Sequence, residues 1–166
     1  MVIDAVQSEM LNDRTDYQHC FVCGQRNDQG LQVNYWLEGS VVVTEFTPQA
    51  VHQGYPGFCH GGILVALLDE TAGRVAMLDR RWVMTVKLET RFRKPVRIGQ
   101  FVTIRGEAIR WKGRILKARG EVFLPDGTIA AEAHGLFIRL PKEIGEETAA
   151  AFPGFEEFWQ PSDTAP

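Results

Sequence analysis

The chain has 166 residues, 45% of them hydrophobic and 23% charged, which is enough for one compact domain and too little for two. Its longest apolar run, Ile63 to Leu68, ends at an aspartate and is far shorter than the roughly 20 residues that span a membrane, so no transmembrane segment is expected. Residues 1–141 carry 17 basic and 15 acidic groups, an excess too small for a nucleic-acid binder but suited to a small phosphorylated ligand.

The N-terminal residues and the cysteines predict a cytoplasmic protein. Residues 1–17 contain acids and lack the basic and apolar stretches of a secretory signal. The three cysteines are odd in number and sparse, which argues against a disulfide framework and favours free thiols in a reducing compartment.

Turn formers and charge divide the chain into three parts. Residues 1–30 are an N-terminal segment with a short possible helix and a turn-rich stretch, and residues 31–141 are expected to form the domain. Residues 142–166 are an acidic tail with six acids and one lysine, which either docks as a short helix or stays mobile. The tail also holds an aromatic cluster, made of Phe152, Phe155, Phe158 and Trp159.

The domain opens with a predicted hairpin and continues into one long helix. Residues 31–37 and 41–47 are rich in β-branched and aromatic residues and flank a compact turn at residues 38–40. Residues 63–78 contain no proline and one glycine, and they are apolar almost all round. A helix of this kind has to be covered on most sides, which predicts a sheet wrapped around it.

Four further strands are predicted from alternating apolar residues in the segments 82–93, 101–111, 115–124 and 128–140. The connectors between them are short, so we expect successive strands to be antiparallel neighbours. The sequence therefore predicts an α+β fold, with a long central helix and an antiparallel sheet of about six strands.

The most informative motif is His60-Gly61-Gly62 followed by Asp69. Two glycine amides at a helix N-terminus, together with the helix dipole, can stabilise an oxygen that becomes negatively charged. Asp69 lies about two turns further along the same helix. The pattern thus predicts an oxyanion hole and a carboxylate on one element.

A carboxylate on an apolar helix is costly unless it is paired or used. Burial would raise the pKa of Asp69 toward the range of a general base. The alternative is a structural acid neutralised by Arg74 or by a strand residue. Glu70 points about 100° away around the helix, and we expect it to have a structural or oligomer-contact role.

Residues 52–73, which include His-Gly-Gly and the aspartate, resemble the central motif of hotdog-fold thioesterases of the 4-hydroxybenzoyl-CoA thioesterase superfamily. Val83-Met84-Thr85 and the segment 92–95 look like the following strand in the acyl-CoA thioesterase branch, close to the thioesterases of the phenylacetic acid pathway. The resemblance covers roughly residues 19–140 and implies a hotdog fold that assembles as a homodimer or homotetramer, with joined sheets and active sites at the interface.

The resemblance also implies roles for individual residues. Asp69 matches the general base or nucleophile, Gly61 matches the amide that polarises the thioester carbonyl, and His60 would orient the loop or the substrate. Gly62 would contribute to substrate binding. Thr85 matches a hydroxyl that positions the attacking water, opposite Asp69 of the partner subunit, although a threonine on a strand is also an ordinary β-former.

One position departs from the family pattern. Several relatives have an asparagine six residues before the histidine, where this chain has Gly54. A water-orienting amide is therefore either missing or replaced by His52, which we include among the candidate substrate-binding residues.

The phosphates of coenzyme A require cations. A set of basic residues near two predicted strand ends could hold the nucleotide by charge-assisted contacts, although each could equally be a solvated strand charge. This set is Arg91, Arg93, Lys94, Arg110, Lys112 and Arg114.

Cys20 and Cys23 have the spacing of half a zinc site, but only His19, Cys59 or His60 could complete it, so we predict no metal. Redox chemistry is also not indicated, because Cys-x-x-Cys motifs usually precede a helix and this one precedes a hairpin. In similar thioesterases this segment packs near the substrate entrance.

The sequence leaves three hypotheses. The first is hydrolysis of a fatty or aryl acyl-CoA to the free acid and coenzyme A without a cofactor, nucleic acid or membrane. The second is an acyl-CoA binding or regulatory module without turnover, against which the presence of both Asp69 and Thr85 argues. The third is a dehydratase or hydratase, which needs a histidine and an acid at the substrate α and β carbons; His52 and His134 cannot be placed from sequence.

Overall fold

A computed structural model describes residues 17–150. Residues 1–16 and 151–166 lie outside the described part of the chain, and with them the predicted N-terminal helix and the aromatic cluster of the tail. Among residues 17–150, no helix is both long enough and apolar enough to cross a membrane.

The six predicted strands form one antiparallel sheet, which confirms the α+β layout. The strand order across the sheet is β1-β2-β4-β5-β6-β3, so β1 and β3 form its two edges. The strands are β1 (Tyr35–Glu38), β2 (Val41–Phe46), β3 (Val83–Phe92), β4 (Val102–Lys112), β5 (Ile115–Phe123) and β6 (Ile129–Arg139). All lie within one to four residues of the predicted bounds, with the largest difference at the start of β1.

The prediction that successive strands are neighbours is wrong for β3 and β4, because β5 and β6 lie between them. The connector after β3 is anchored in the interior and is not a hairpin turn. Val96 is buried at 1% exposure, and its carbonyl accepts the N–H of Cys59 at 2.8 Å. Arg97 forms a β-bridge with Phe58, so this short connector runs along the loop before the helix.

Helix α1 spans Gly61–Arg74 and continues as a 3₁₀ turn over Val75–Asp79. One α-helix was predicted at residues 63–78. The observed helix begins two residues earlier than predicted, and its last turn is tighter than predicted. The start is set by His60, whose side chain caps the helix. The chain leaves the 3₁₀ turn through Arg80, which has a left-handed φ of 53°.

Two glycines bring α1 close to the sheet. Gly106 on β4 pairs directly with Gly120 on β5. A Cβ atom at Gly106 would lie 2.5 Å from the backbone oxygen of Thr71, and one at Gly120 would lie 3.1 Å from that of Leu68. Glycine inside a strand often marks such a close approach of another backbone. The helix therefore rests directly on the two central strands.

The cover of α1 is incomplete on the side of β3. Val65 and Asp69 are only half-buried, while Leu67 and Leu68 are fully buried. The alternating apolar residues that predicted β3 are not buried in the single chain, because Met84, Val86 and Phe92 are 53%, 58% and 53% exposed. A register shift between Thr85 and Lys87 also interrupts the alternation along this strand.

The N-terminal segment contacts the domain. Val22 of this segment is buried in the main core cluster, together with Leu31 and Val33 at the start of the domain and with residues of α1 and the sheet. At the other end, helix α2 spans Lys142–Ala150 and none of its residues is buried. The first nine residues of the acidic tail are thus helical.

Candidate active site

The side chains of Asp69 and Thr85 meet at the open side of the helix. Asp69 lies on α1 and Thr85 lies on β3, sixteen residues later. The Thr85 hydroxyl donates to Asp69 Oδ1 at 2.7 Å within the same chain. We expected Thr85 to face Asp69 of a partner subunit, and the structure shows an intrachain bond instead. The cause is the pairing of β3 with β6, which places the strand edge beside the middle of α1.

Asp69 is a carboxylate with a raised pKa. Burial raises its pKa above the ordinary value of 3.8, the hydrogen bond from Thr85 opposes this shift, and the negative charge of Glu70 adds to it. Burial against an apolar helix disfavours the charged form because the carboxylate loses its water. The group is therefore a stronger base than a surface aspartate, which is what proton abstraction near neutral pH requires.

Arg74 neutralises Glu70 and not Asp69. The Arg74 guanidinium donates from Nη2 to Glu70 Oε1 at 3.3 Å and to Cys23 Sγ at 2.9 Å. It also lies over the ring of Tyr35, with 4.2 Å between Cζ and the ring centroid. The alternative in which Arg74 makes Asp69 a structural acid is therefore wrong, because the ion pair of Arg74 is with Glu70.

The two glycine amides at the start of α1 are not equivalent. The N–H of Gly62 donates to His60 Nδ1 at 2.9 Å, so it is not free to bind a substrate oxygen as predicted. Among the described residues, none accepts the N–H of Gly61. A Cβ atom at Gly61 would lie 3.2 Å from Phe92 Cζ, so the ring of Phe92 lies close to Gly61. His60 caps the helix through Gly62, which leaves the N–H of Gly61 without an acceptor among residues 17–150.

His52 is already engaged and cannot stand in for the missing amide through its Nδ1 atom. This atom accepts the backbone N–H of Gln49 at 2.9 Å, and the ring packs against Phe46 with 5.0 Å between centroids. A Cβ atom at Gly54 would lie 3.1 Å from His60 Cα. A larger side chain at position 54 would therefore push against His60.

The predicted cationic cluster is divided between the two ends of the sheet. One group lies at the end of β3 and just after it, and consists of Arg91, Arg93 and Lys94. The other lies at the end of β4 and in the next turn, and consists of Arg110, Lys112 and Arg114. The ten residues of β3 separate them by about 30 Å at roughly 3.3 Å per residue. The prediction of one cluster in a single chain is therefore wrong.

A cavity of about 230 Å³ opens beside Asp69 and Thr85. Its apolar wall is formed by Met77, Val83, Phe137 and Leu140, and its polar side includes Cys20, Cys23, Glu70 and Arg74. The contact of the N-terminal cysteines with Glu70 and Arg74 was not predicted. Its sign in the sequence is that Glu70 and Arg74 stand four residues apart and so share a helix face.

Comparisons with known proteins show similarity to thioesterases. The family model of the thioesterase superfamily matches residues 56–131. Acyl-coenzyme A thioesterase THEM5 of Mus musculus is 31% identical over 143 residues, covering 81% of this chain and 56% of its own length. Acyl-coenzyme A thioesterase THEM4 of Xenopus laevis is 31% identical over 100 residues, covering 60% of this chain and 45% of its own length. The chain thus spans about half the length of these curated relatives.

Solved structures show the same fold. A thioesterase superfamily protein has a TM-score of 0.69 at 24% identity, over 82% of this chain and 76% of its own. PaaI of E. coli, from the phenylacetic acid degradation operon, has a TM-score of 0.65 at 17% identity, over 82% of this chain and 94% of its own. The chain therefore has the hotdog fold.

Residues 56–131 are thus similar to the thioesterase superfamily, and the described part of the chain shares the fold of a solved protein of that superfamily. A hypothetical thioesterase of Streptococcus pneumoniae, with a TM-score of 0.59 at 21% identity over 64% of this chain and 88% of its own, was solved with coenzyme A. The same protein was solved with a threonine and with an aspartate replaced by alanine. Those two positions are sixteen residues apart, as are Asp69 and Thr85.

Proposed function

We propose that the chain hydrolyses an acyl-CoA thioester to the free acid and coenzyme A. The observation that carries the proposal is the half-buried carboxylate of Asp69, with a raised pKa and a hydroxyl at 2.7 Å, in a cavity with an apolar wall. The names of the curated relatives support acyl-CoA as the substrate class. The aspartate and threonine chosen for substitution in the pneumococcal protein support the same pair here.

In the proposed reaction, Asp69 takes a proton from a water molecule that attacks the thioester carbonyl. Thr85 orients Asp69 and the water, and the thiolate of coenzyme A leaves. The N–H of Gly61 stabilises the negative carbonyl oxygen, aided by the positive end of the α1 dipole. The charge that develops on the oxygen makes this donor more valuable in the transition state than in the ground state.

Gly61 and Asp69 of one chain are too far apart to act on the same carbonyl. Eight residues of helix separate them, which is about 12 Å at 1.5 Å per residue. We therefore infer a site built by two copies of the chain, in which Asp69 and Thr85 of one copy work with Gly61 of the other. The unpaired edge of β3 and its exposed apolar side chains support an interface at this position.

The same assembly supports binding of coenzyme A. If two β3 edges join antiparallel, the end of one β3 lies beside the start of the other. The start of β3 is at the same end of the sheet as the turn between β4 and β5. Arg93 and Lys94 of one copy would then approach Arg110, Lys112 and Arg114 of the other, and together they would hold the phosphates.

The test is thiol release from acyl-CoAs with short, long and aryl acyl groups. Purified protein is compared with Thr85→Ala and with a matched control, Thr90→Ala, which alters another threonine of β3. We expect turnover of at least one acyl-CoA, a lower rate for Thr85→Ala and an unchanged rate for Thr90→Ala. Binding of coenzyme A without thiol release would contradict hydrolysis and favour the binding module. Loss of water from a β-hydroxyacyl-CoA would favour the dehydratase.

Two further expectations accompany this proposal. We take residues 31–141 as the catalytic domain, flanked by the N-terminal segment and the acidic tail, and we place the protein in the cytoplasm. A chain truncated to residues 31–141 should retain the hotdog core. Fractionated cells should yield the thioesterase activity in the cytosol.

A further inference from the structure

Cys20 and Cys23 form a thiol pair at the wall of the cavity that contains Asp69. Both are free and half-buried, and they lie on the turn after a short 3₁₀ segment, where the N–H of Gly24 donates to the carbonyl of Cys20 at 3.0 Å. Their sulfur atoms and a carboxylate oxygen of Glu70 all lie within 4.8 Å of one another. The proposed hydrolysis uses neither thiol.

Charged groups of α1 surround this pair. Cys23 Sγ accepts from Arg74 Nη2 at 2.9 Å and lies 3.6 Å from Glu70 Oε1. Arg74 itself is almost fully buried, at 5% exposure. A guanidinium in contact with sulfur stabilises a thiolate, so Arg74 can assist Cys23 when Cys23 gives up its proton, and a carboxylate beside it can accept the proton of a thiol. The environment is therefore that of a reactive thiol pair and not that of inert core cysteines.

A bound cation is the competing interpretation of the same three groups. Two thiolates and a carboxylate are ligands that a soft divalent metal prefers. However, the Arg74 guanidinium already contacts two of the three candidate ligands, Cys23 and Glu70. A metal ion would have to displace this buried positive charge or stand next to it. The electrostatics thus favour thiol chemistry at this place.

We propose that Cys20 and Cys23 are a redox-active dithiol that reacts with low-molecular-weight disulfides, with Cys20 as the attacking thiol and Cys23 as the resolving thiol. The two roles follow from the contacts of each sulfur. Both thiols line the cavity, but Cys23 is held by Arg74 beside Glu70, whereas the neighbour of the Cys20 sulfur is Cys23.

The acidity of the two thiols agrees with this order. The hydrogen bond from Cys23, opposed by burial and by the charge of Glu70, lowers the pKa of Cys20 to about 6. The hydrogen bond to Cys20 and burial raise the pKa of Cys23, with Arg74 acting in the opposite direction. For comparison, burial raises the pKa of the third thiol, Cys59, to about 11. Cys20 is thus the thiolate near neutral pH.

The reaction has two exchange steps. The Cys20 thiolate attacks one sulfur of glutathione disulfide, a mixed disulfide forms, and one glutathione thiolate leaves. Cys23, which then loses the hydrogen bond to the Cys20 thiolate and keeps Arg74, gives up its proton and attacks the Cys20 sulfur, and the second glutathione leaves. Two electrons pass from the two cysteine sulfurs to glutathione, and the two thiol protons end on the two released glutathione molecules.

The first test is the mass of the protein after exposure to glutathione disulfide and blocking of the remaining thiols with an alkylating agent. We expect wild type to lose two alkylation sites at Cys20 and Cys23, and Cys23→Ser to retain one glutathione on Cys20. Cys59→Ser is the matched control and should behave like wild type apart from its own missing thiol. Neither glutathione nor a disulfide should appear on Cys20→Ser.

The second test is the alkylation rate of each thiol in the reduced full-length protein at neutral pH. We expect Cys20 to react at least about tenfold faster than Cys59, because its thiolate fraction is much larger even though a more acidic thiolate is a weaker nucleophile. Equal rates, or a protein that keeps all three thiols after exposure to glutathione disulfide, would overturn the proposal. Neither measurement uses thioester turnover, so its outcome is separate from that of the proposed hydrolysis.

Discussion

At the scale of single residues, the protonation of Asp69 is set by a balance between burial and one hydrogen bond. Burial and Glu70 raise its pKa, and the Thr85 hydroxyl lowers it by bonding the ionised form. The base must be ionised to accept a proton, so kcat/KM for hydrolysis should rise with pH through the pKa of Asp69 in the free enzyme. The midpoint should lie above the ordinary value of 3.8.

Replacing Thr85 with valine tests this balance. The variant keeps the shape of the side chain and loses the donor, so the pKa of Asp69 should rise further. The midpoint of the pH profile should therefore move to higher pH, and the plateau rate should fall. The profile of acyl-CoA hydrolysis by Thr85→Val, measured beside that of Thr90→Val, checks this. A midpoint that stays in place would mean that the 2.7 Å bond does not hold the ionised carboxylate.

The raised pKa of Asp69 also predicts a cost in stability. A carboxyl whose pKa is higher in the folded state stabilises the fold below its unfolded pKa, and this contribution is lost as pH rises through the folded pKa. Asp69→Asn cannot ionise, so it should become more stable than wild type as pH rises. Thermal unfolding of both proteins at about pH 4 and about pH 8 measures the difference. A difference in stability between Asp69→Asn and wild type that does not grow with pH would contradict the raised pKa of Asp69.

The sequence predicted part of this site for physical reasons that can be named. An acid within an apolar helix and a glycine pair at its start are visible in the chain, and they marked Asp69 and Gly61. Which acceptor each N–H or guanidinium group bonds is not visible in the sequence, because it depends on side-chain conformation. Sequence could not show that His60 Nδ1 takes the N–H of Gly62, or that Arg74 turns to Glu70 and away from Asp69.

At the scale of elements, α1 lies directly on the glycine pair of β4 and β5. Gly106→Ala would place Cβ 2.5 Å from the backbone oxygen of Thr71, and neither backbone can yield without moving the helix or the sheet. We expect the free energy of unfolding to fall by at least about 2 kcal/mol, the range of overpacked interiors. Denaturant unfolding measures it.

Gly145→Ala is the matched control for Gly106→Ala. Gly145 lies within α2, and an added Cβ atom would have its nearest neighbour at 3.9 Å. Alanine is the better helix former, so this variant should be neutral or slightly more stable. Equal destabilisation by both substitutions would show that the effect at Gly106 comes from glycine loss in general and not from contact with α1.

The elements themselves were largely predictable, and their order in the sheet was not. Alternation and turn residues located all six strands, and the inward face behind this pattern is clearest in β4, β5 and β6. The position of β3 depends on its pairing with β6, which is separated from it by two strands in sequence. The short connector between β3 and β4 suggested that these two strands form a hairpin. Burial of Val96 anchors this connector in the interior, and β4 pairs elsewhere in the sheet.

At the scale of the whole molecule, the account requires a second copy of the chain at the β3 edge. Val86 is 58% exposed on this edge, and Val86→Lys would place a charge where two apolar edges are expected to meet. We expect the variant to be monomeric in light scattering and to lose hydrolysis, since Gly61 of the partner would be absent.

Ile109→Lys is the control for this substitution, because Ile109 is 52% exposed on β4 and lies away from the β3 edge. It should leave the oligomer and the turnover unchanged. A fully active monomer of Val86→Lys would contradict the site shared between two chains and would require both catalytic groups to come from one copy.

The most direct test of the central claim is the rate of acyl-CoA hydrolysis by folded Asp69→Asn protein. The substitution keeps the size of the side chain and removes the base, while Asp79→Asn alters an exposed aspartate just after the helix. The account predicts a fall of about 10²- to 10⁴-fold for Asp69→Asn, the usual contribution of a general base, and no change for Asp79→Asn. Wild-type turnover by an Asp69→Asn protein of unchanged oligomeric state would contradict it.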